Sequence, residues 1–295
     1  MNLPVYRFAP SPNGHLHLGH AYSAILNQRA AQKYGGKLLL RVEDIDTIRC
    51  TPQLQADMLE DLHWLGIQWE EPVRKQSEHF EDYQCTLHKL EERSLVYKAY
   101  LTRAQIKRFV AQQDATGTPW PRDPDGAPLY PGDDKVLSAQ DQQERQNSDA
   151  PYALRLNMEK AIAAVGQPLR WQEARTGKIQ ADPAAWGDVV LARKDTPTSY
   201  HLSVVVDDAL QGITHILRGT DLYHATSVHR LLQTLLNLPE PLYEHHHLIM
   251  GADGRKLAKS AKDTSLRELR ASGVTPAQIR EMLSNPASEQ TTARS

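Results

Sequence analysis

Two short stretches, far apart in the chain, hold residue types whose spacing suits phosphate chemistry. The first is Pro10-Ser11-Pro12-Asn13-Gly14 followed by His15-Leu16-His17-Leu18-Gly19-His20, a turn leading into a helix. A helix N-terminus offers unpaired backbone N–H groups and a partial positive charge, Gly19 lets a ligand approach the backbone, and His17 and His20 can donate to phosphate oxygens. The same spacing also suits a metal pair or two satisfied surface side chains. The second stretch, Gly254-Arg255-Lys256-Leu257-Ala258-Lys259-Ser260, sets two lysines among small residues. It reads either as a loop that closes over a triphosphate or as an ordinary solvated basic loop.

The elements around these stretches are those of a nucleotide-binding fold. Residues 5–9 read as a strand, residues 10–14 as a tight turn and residues 20–33 as a helix. Gly35 and Gly36 stop that helix, and the Leu38-Leu39-Leu40 run predicts a strand covered on both faces, so a parallel βαβ unit is expected. Thr51 before Pro52 is an N-cap signal, with Leu54, Met58, Leu62 and Leu65 on one face until Gly66, and a further helix is predicted over 77–93. Residues 111–150, rich in Pro, Gly, Asp and Gln, read as inserted. Strands are predicted at 152–156, 169–172, 188–192 and 214–218, and a helix at 222–238. Residues 200–210 are ambiguous, because Val204-Val205-Val206 suits a buried strand or a buried helix. The expected fold is doubly wound α/β, with residues 1–95 and 186–250 as halves of one domain, an α+β subdomain inserted at 96–185, and the basic loop with a short helical tail at 251–295.

Composition narrows the classes. The 295 residues are 40% hydrophobic and 24% charged with a formal net charge of -2, so the chain can bury a large core and any RNA contact must be local. Arg103, Lys107 and Arg108 are candidates for such contact, though a solvated helix face reads the same way. Cys50 and Cys85 form no closely spaced pair, which fits free thiols in a reducing cytoplasm. No apolar run approaches the roughly 18 residues of a membrane span, and no G-x-G-x-x-G follows the first strand, which disfavours a dehydrogenase.

Taken together, the HLGH tetrad at 17–20 and the KLAKS pentad at 256–260 resemble the two signature motifs of class I aminoacyl-tRNA synthetases, in their usual order. The resemblance covers residues 3–263 and implies that His17, Gly19, His20, Lys256 and Lys259 bind ATP with Mg2+. His17, His20 and Lys259 would stabilise phosphate charge while a carboxylate attacks the α-phosphorus, chemistry that rests on positioning and electrostatics. Ala258 stands where the family usually has serine. The segments Arg7-Phe8-Ala9-Pro10-Ser11-Pro12 and Arg41-Val42-Glu43-Asp44-Ile45-Asp46 resemble the glutamyl branch. By that similarity Arg7 pairs with the side-chain carboxylate of L-glutamate, Ser11 donates to it, Glu43 holds the α-ammonium, Tyr200 supplies a hydroxyl and Arg218 a second guanidinium. An arginine fork suits a carboxylate because two parallel charge-assisted bonds fix distance and plane.

The chain also departs from the family. Related enzymes hold zinc through Cys-x-Cys and Tyr-x-x-x-Cys; here Ala99, Leu101 and Asp134 occupy the cysteine positions, so no zinc is expected. Only about 32 residues follow Asp263, too few for an independent anticodon-reading domain. This outline resembles the glutamyl-Q tRNA(Asp) synthetases, which attach activated glutamate to the queuosine base in the anticodon loop. It implies a cytoplasmic, monomeric enzyme whose RNA partner is the anticodon stem-loop of tRNA(Asp). Rival readings are a shortened glutamyl-tRNA synthetase charging the 3′ end of tRNA(Glu), a non-catalytic tRNA-binding paralogue, and a nucleotidyltransferase acting on another small acid.

Overall fold

The computed structural model describes residues 3–249 and 264–284. The first half runs β1 (Val5–Phe8), α1 (Leu18–Lys33), β2 (Lys37–Val42), α2 (Pro52–Trp64), β3 (Glu70–Lys75) and α3 (Phe80–Glu92). These strands form a parallel sheet in the order β1-β2-β3, with Val5 opposite Lys37 and Arg7 opposite Leu39. Leu38, Leu40 and Val42 are buried, as the apolar run predicts. Gly36 is required at the start of β2, because a Cβ there would lie 2.3 Å from the Pro4 carbonyl oxygen. Thr51 caps α2 by accepting from Leu54 N, with Pro52 at the first helical position.

The middle of the chain gives β4 (Val96–Ala99), α4 (Arg103–Asp114), α5 (Ala139–Gln146), β5 (Ala153–Leu156), α6 (Met158–Val165), β6 (Arg170–Glu173), β7 (Gly177–Gln180) and β8 (Val190–Arg193). There follow α7 (Tyr200–Leu210), β9 (His215–Gly219), α8 (Thr226–Leu235), β10 (Leu242–His246), α9 (Leu266–Ala271) and α10 (Pro276–Ser284). A second sheet has the order β7-β6-β10-β9, and a small antiparallel sheet the order β4-β5-β8. Thr214 joins the two larger sheets: its N–H donates to Val5 O at 3.1 Å and its own carbonyl accepts from Leu242 N at 2.9 Å. From β1 the strand order therefore runs to β2 and β3 on one side and, across the β1/β9 seam, to β9 and β10 on the other, and doubly wound sheets open a crevice at their carboxyl ends where the order switches in this way.

Sheet partners cut across the segment 96–185 expected to be inserted. β6 pairs with β10 in the larger sheet, while β8, expected in the second half of the catalytic domain, pairs with β5. Both are strands of four residues, and so short a segment carries no record of its hydrogen-bonding neighbour. Residues 200–210 are helical. Leu202 through Asp208 are all buried, so packing on every side overrides the strand preference of three consecutive valines. Residues 111–150, read as inserted, contain α5, which is held by a capping box between Ser138 and Asp141.

At the positions Ala99, Leu101 and Asp134 the insertion is tied by side chains of neighbouring residues. Tyr100 N donates to both oxygens of Asp133 at 3.1 Å, and the Tyr130 hydroxyl donates to Asp133 at 2.5 Å. Arg145 Nη1 donates to Tyr100 O at 2.7 Å, and the Arg155 guanidinium lies 3.8 Å from the Tyr130 ring centre. At the far side, Leu266 and Ile279 are fully buried in the core formed by β1, β2, α1 and α2. Leu266 N donates to Leu16 O at 2.7 Å, which seats the start of α9 beside the HLGH segment.

Candidate active site

A cavity of about 410 Å3 opens at the β1/β9 seam. It is lined by every expected site residue within the described segments: Arg7, Phe8, Ala9, Pro10, Ser11, His17, Gly19, His20, Glu43, Tyr200 and Arg218. Lys256 and Lys259 lie outside the described residues. β1 delivers Arg7, and the loop after it is tied to the end of β2 by Glu43 N donating to Pro10 O at 3.0 Å. β2 delivers Glu43, α7 delivers Tyr200 and β9 delivers Arg218.

The two arginines are buried to the same degree, at 4% and 5% exposure, yet are engaged differently. Arg7 donates only through Nε, to Asp208 Oδ1 at 3.1 Å, and neither of its terminal nitrogens donates to any described residue. Its fork is anchored at the back and unspent at the front. Arg218 uses all five of its N–H groups. Nε donates to His245 Nε2 at 3.2 Å; Nη1 to His229 Nδ1 at 3.2 Å and the Tyr200 hydroxyl at 3.4 Å; Nη2 to Leu222 O at 3.1 Å and Thr226 Oγ1 at 2.7 Å. The longest of these, to Tyr200, is the one a ligand oxygen would most easily replace.

Beneath Arg7 and Glu43 lies a buried ion network that the sequence reading missed. Arg41, with no exposure, donates to Asp208 Oδ1 at 2.8 Å, to Gln211 Oε1 at 3.0 Å and to Glu43 Oε1 at 3.1 Å. Burial pushes the Asp208 carboxyl up, but Arg7 and Arg41 outweigh it and hold the group below the usual carboxylate range. For Glu43 burial wins over Arg41 and Arg7, and its carboxyl is raised. A cation reaching Glu43 Oε2, which accepts no hydrogen bond among the described residues, would therefore be strongly favoured. Asp207 completes the network, accepting from Arg74, Gln76 and the Tyr83 hydroxyl. The available signal was the pair Asp207-Asp208 closing an apolar helix, since two buried acids require cationic partners.

The HLGH segment caps α1 with its own histidines. Gly19 N donates to His17 Nδ1 at 3.1 Å, and His17 N donates to His20 Nδ1 at 3.2 Å. With each Nδ1 accepting, the neutral rings carry their proton on Nε2, so both are hydrogen-bond donors through that nitrogen. Gly19 was expected to leave room for a ligand; the room goes first to His17, whose ring atoms would lie 3.0 Å from a Cβ at that position. Further along the cavity wall stand Ser23, Leu217, Gly219, Asp221, His246, Leu248 and Ile249, none of which the sequence reading singled out.

Comparison with known proteins agrees with this architecture. Residues 5–290 match the family described as tRNA synthetases class I (E and Q), catalytic domain. A protein from Rhodobacter capsulatus named glutamyl-Q tRNA(Asp) synthetase is 45% identical over 288 residues, covering 95% of this chain and 99% of that protein. One of the same name from Nocardia farcinica is 38% identical, over 95% of this chain and 83% of its own length. A glutamate–tRNA ligase from a Synechococcus species is 32% identical over 94% of this chain, which spans 55% of that ligase. Among solved structures, glutamate-tRNA synthetase from Elizabethkingia anophelis superposes with a TM-score of 0.76 at 23% identity, over 96% of this chain and 61% of that one. The chain thus belongs to the family of class I tRNA synthetases for E and Q, through its catalytic domain.

Proposed function

We propose that the chain activates L-glutamate with ATP to glutamyl-adenylate and transfers the glutamyl group to the queuosine base at the wobble position of tRNA(Asp). The observation that carries the first step is the Arg7 fork, anchored through Asp208 with its terminal donors unspent among the described residues, sharing a cavity with Glu43. The side-chain carboxylate of glutamate takes the fork in two parallel bonds, and the α-ammonium takes Glu43. Glutamine would meet Arg7 with an amide that donates where an acceptor is needed, a mismatch worth several kcal/mol in a buried site.

The α-carboxylate oxygen then attacks the α-phosphorus, a new O–P bond forms, the bridging P–O bond to the β-phosphate breaks, and pyrophosphate leaves. His17 and His20, donors through Nε2 at the start of α1, lower the phosphate charge there, as Lys256 and Lys259 do from the second motif. Mg2+ bound to ATP supplies further countercharge. The tRNA(Asp) acceptor is supported by the similarity to the Rhodobacter protein, which extends over 99% of that protein's length. The test is incubation with labelled glutamate, ATP and tRNA(Asp) with or without queuosine. Label on the queuosine-containing tRNA alone is expected; label that ignores the modification, or appears on the 3′ end of tRNA(Glu), contradicts the acceptor.

A further inference from the structure

A second cavity of about 630 Å3 lies between the insertion and the β1/β9 seam. It shares Ser11, Asn13, Glu43 and Tyr200 with the first cavity, so the two meet across a common wall. Resting on the proposed activation of glutamate, an acceptor in this cavity would meet the shared wall at Glu43 and Tyr200, whereas His17, Gly19 and His20 line the first cavity alone. His201 lines this second cavity and belongs to the Arg218 cluster.

The hydrogen-bond order in that cluster has one solution. A guanidinium is only a donor, so His229 Nδ1, facing Arg218 Nη1, must accept. The His229 proton then sits on Nε2 and is donated to His201 Nδ1 at 3.3 Å. With Nδ1 accepting, the His201 proton sits on Nε2, which has no partner among the described residues. The other arm obeys the same rule. His245 Nε2 accepts from Arg218, and His245 Nδ1 donates to Glu173 Oε2 at 2.8 Å. Burial, together with the Arg218 charge, lowers His201 to about 4, so the ring stays neutral and keeps this single N–H at working pH. Ser199, at the start of the same helix, also lines the cavity, and its buried Oγ has no hydrogen-bond partner among the described residues. Trp186 meets the His201 ring edge-on at 5.5 Å, giving the cavity an aromatic wall.

We infer that His201 Nε2–H binds an oxygen or nitrogen acceptor atom on the RNA nucleotide that receives the glutamyl group. Arg218 thereby acts at two places: it shapes the amino-acid end through Tyr200, and through His229 it fixes which nitrogen of His201 carries the proton. A ring with its proton on the other nitrogen would present a lone pair and repel the same ligand atom.

The test compares His201→Phe, which keeps a ring without the donor, and His201→Gln, whose amide can accept from His229 and still donate to the cavity. Glutamate-dependent pyrophosphate exchange reads activation, and single-turnover transfer from preformed glutamyl-adenylate to queuosine-containing tRNA(Asp) reads the acceptor step. His201→Phe is expected to slow transfer about tenfold more than it slows exchange, the scale of one lost hydrogen bond in a closed site, and His201→Gln to recover most of that difference. Equal losses in both steps, or transfer as fast as in the unaltered chain, overturn the role of His201 and leave glutamate activation standing. Absence of glutamate-dependent exchange in the unaltered chain refutes the activation reading, and the inference with it.

Discussion

The ends of β1 and β9 each push a buried arginine into one cavity, and the two differ in what the protein leaves them. Among the described residues Arg7 has one hydrogen-bond partner, Asp208, and its terminal nitrogens have none. Arg218 has a partner for every N–H. A guanidinium that is fully paired is already compensated for burial and gains little from a ligand, whereas one held from behind keeps its strongest bonds for the incoming carboxylate. Residue type alone would rank the two as equal receptors. On the proposed function, the hydrogen-bond partners make one a receptor and the other a support.

Substitutions at four positions break or sharpen that division. The largest effect is expected for Arg7→Leu, which should lower kcat/KM for glutamate in pyrophosphate exchange by about a thousandfold or more, because Glu43 and Asp208 lose a buried countercharge together with the ligand bond. If Arg218→Leu were the more damaging to glutamate KM, with folding unimpaired, the ranking would be reversed. Arg218→Lys should instead appear in stability, with about 2–4 kcal/mol lost in urea unfolding, since an ammonium cannot satisfy partners spread around a planar fork. Arg7→Lys, measured side by side, should cost less stability.

Glu43→Gln should raise KM for glutamate by about ten- to a hundredfold while preserving selectivity against glutamine, because it weakens the ammonium contact and leaves the fork intact. A loss of that selectivity would place the side chain, not the ammonium, at Glu43. The smallest effect sharpens the comparison from a third kind of buried charge. Asp61 is 1% exposed, neither carboxylate oxygen has a hydrogen-bond partner among the described residues, and burial raises it to about 6 despite Arg270 Nη2 at 3.8 Å from Oδ1. Its folded value lies above the ordinary 3.8, so it destabilises the ionised native state: stability should fall as pH rises from about 4 to 6. Asp61→Asn should remove that slope and add about 1–3 kcal/mol at pH 7.5. An unchanged slope in pH-dependent unfolding would show that Asp61 finds a partner in solution.

What the sequence made legible was local. The strand, turn and helix from Val5 to Lys33 and the Thr51-Pro52 start follow from periodicity and caps, properties of neighbouring residues, while the site residues at strand ends rest on the resemblance of short motifs to a known family. Hidden were relations between distant residues. Nothing local in Trp171 or Leu191 says that β6 joins β10 while β8 joins β5. His245 and His229 could not be assigned, because their roles arise only once Arg218 lies between them. The three valines ahead of Asp207 concealed a helix, because burial on every side removes the pattern by which helix and strand are distinguished.

The central claim is that Arg7, and not Arg218, receives the side-chain carboxylate. A crystal structure of the chain with L-glutamate tests it directly. Both oxygens of the side-chain carboxylate should lie about 2.7–3.1 Å from the terminal nitrogens of Arg7, with the α-ammonium against Glu43 and the five donors of Arg218 still on protein partners or at most one exchanged at Tyr200. A side-chain carboxylate seated on Arg218, or a glutamate bound outside this cavity, contradicts the account.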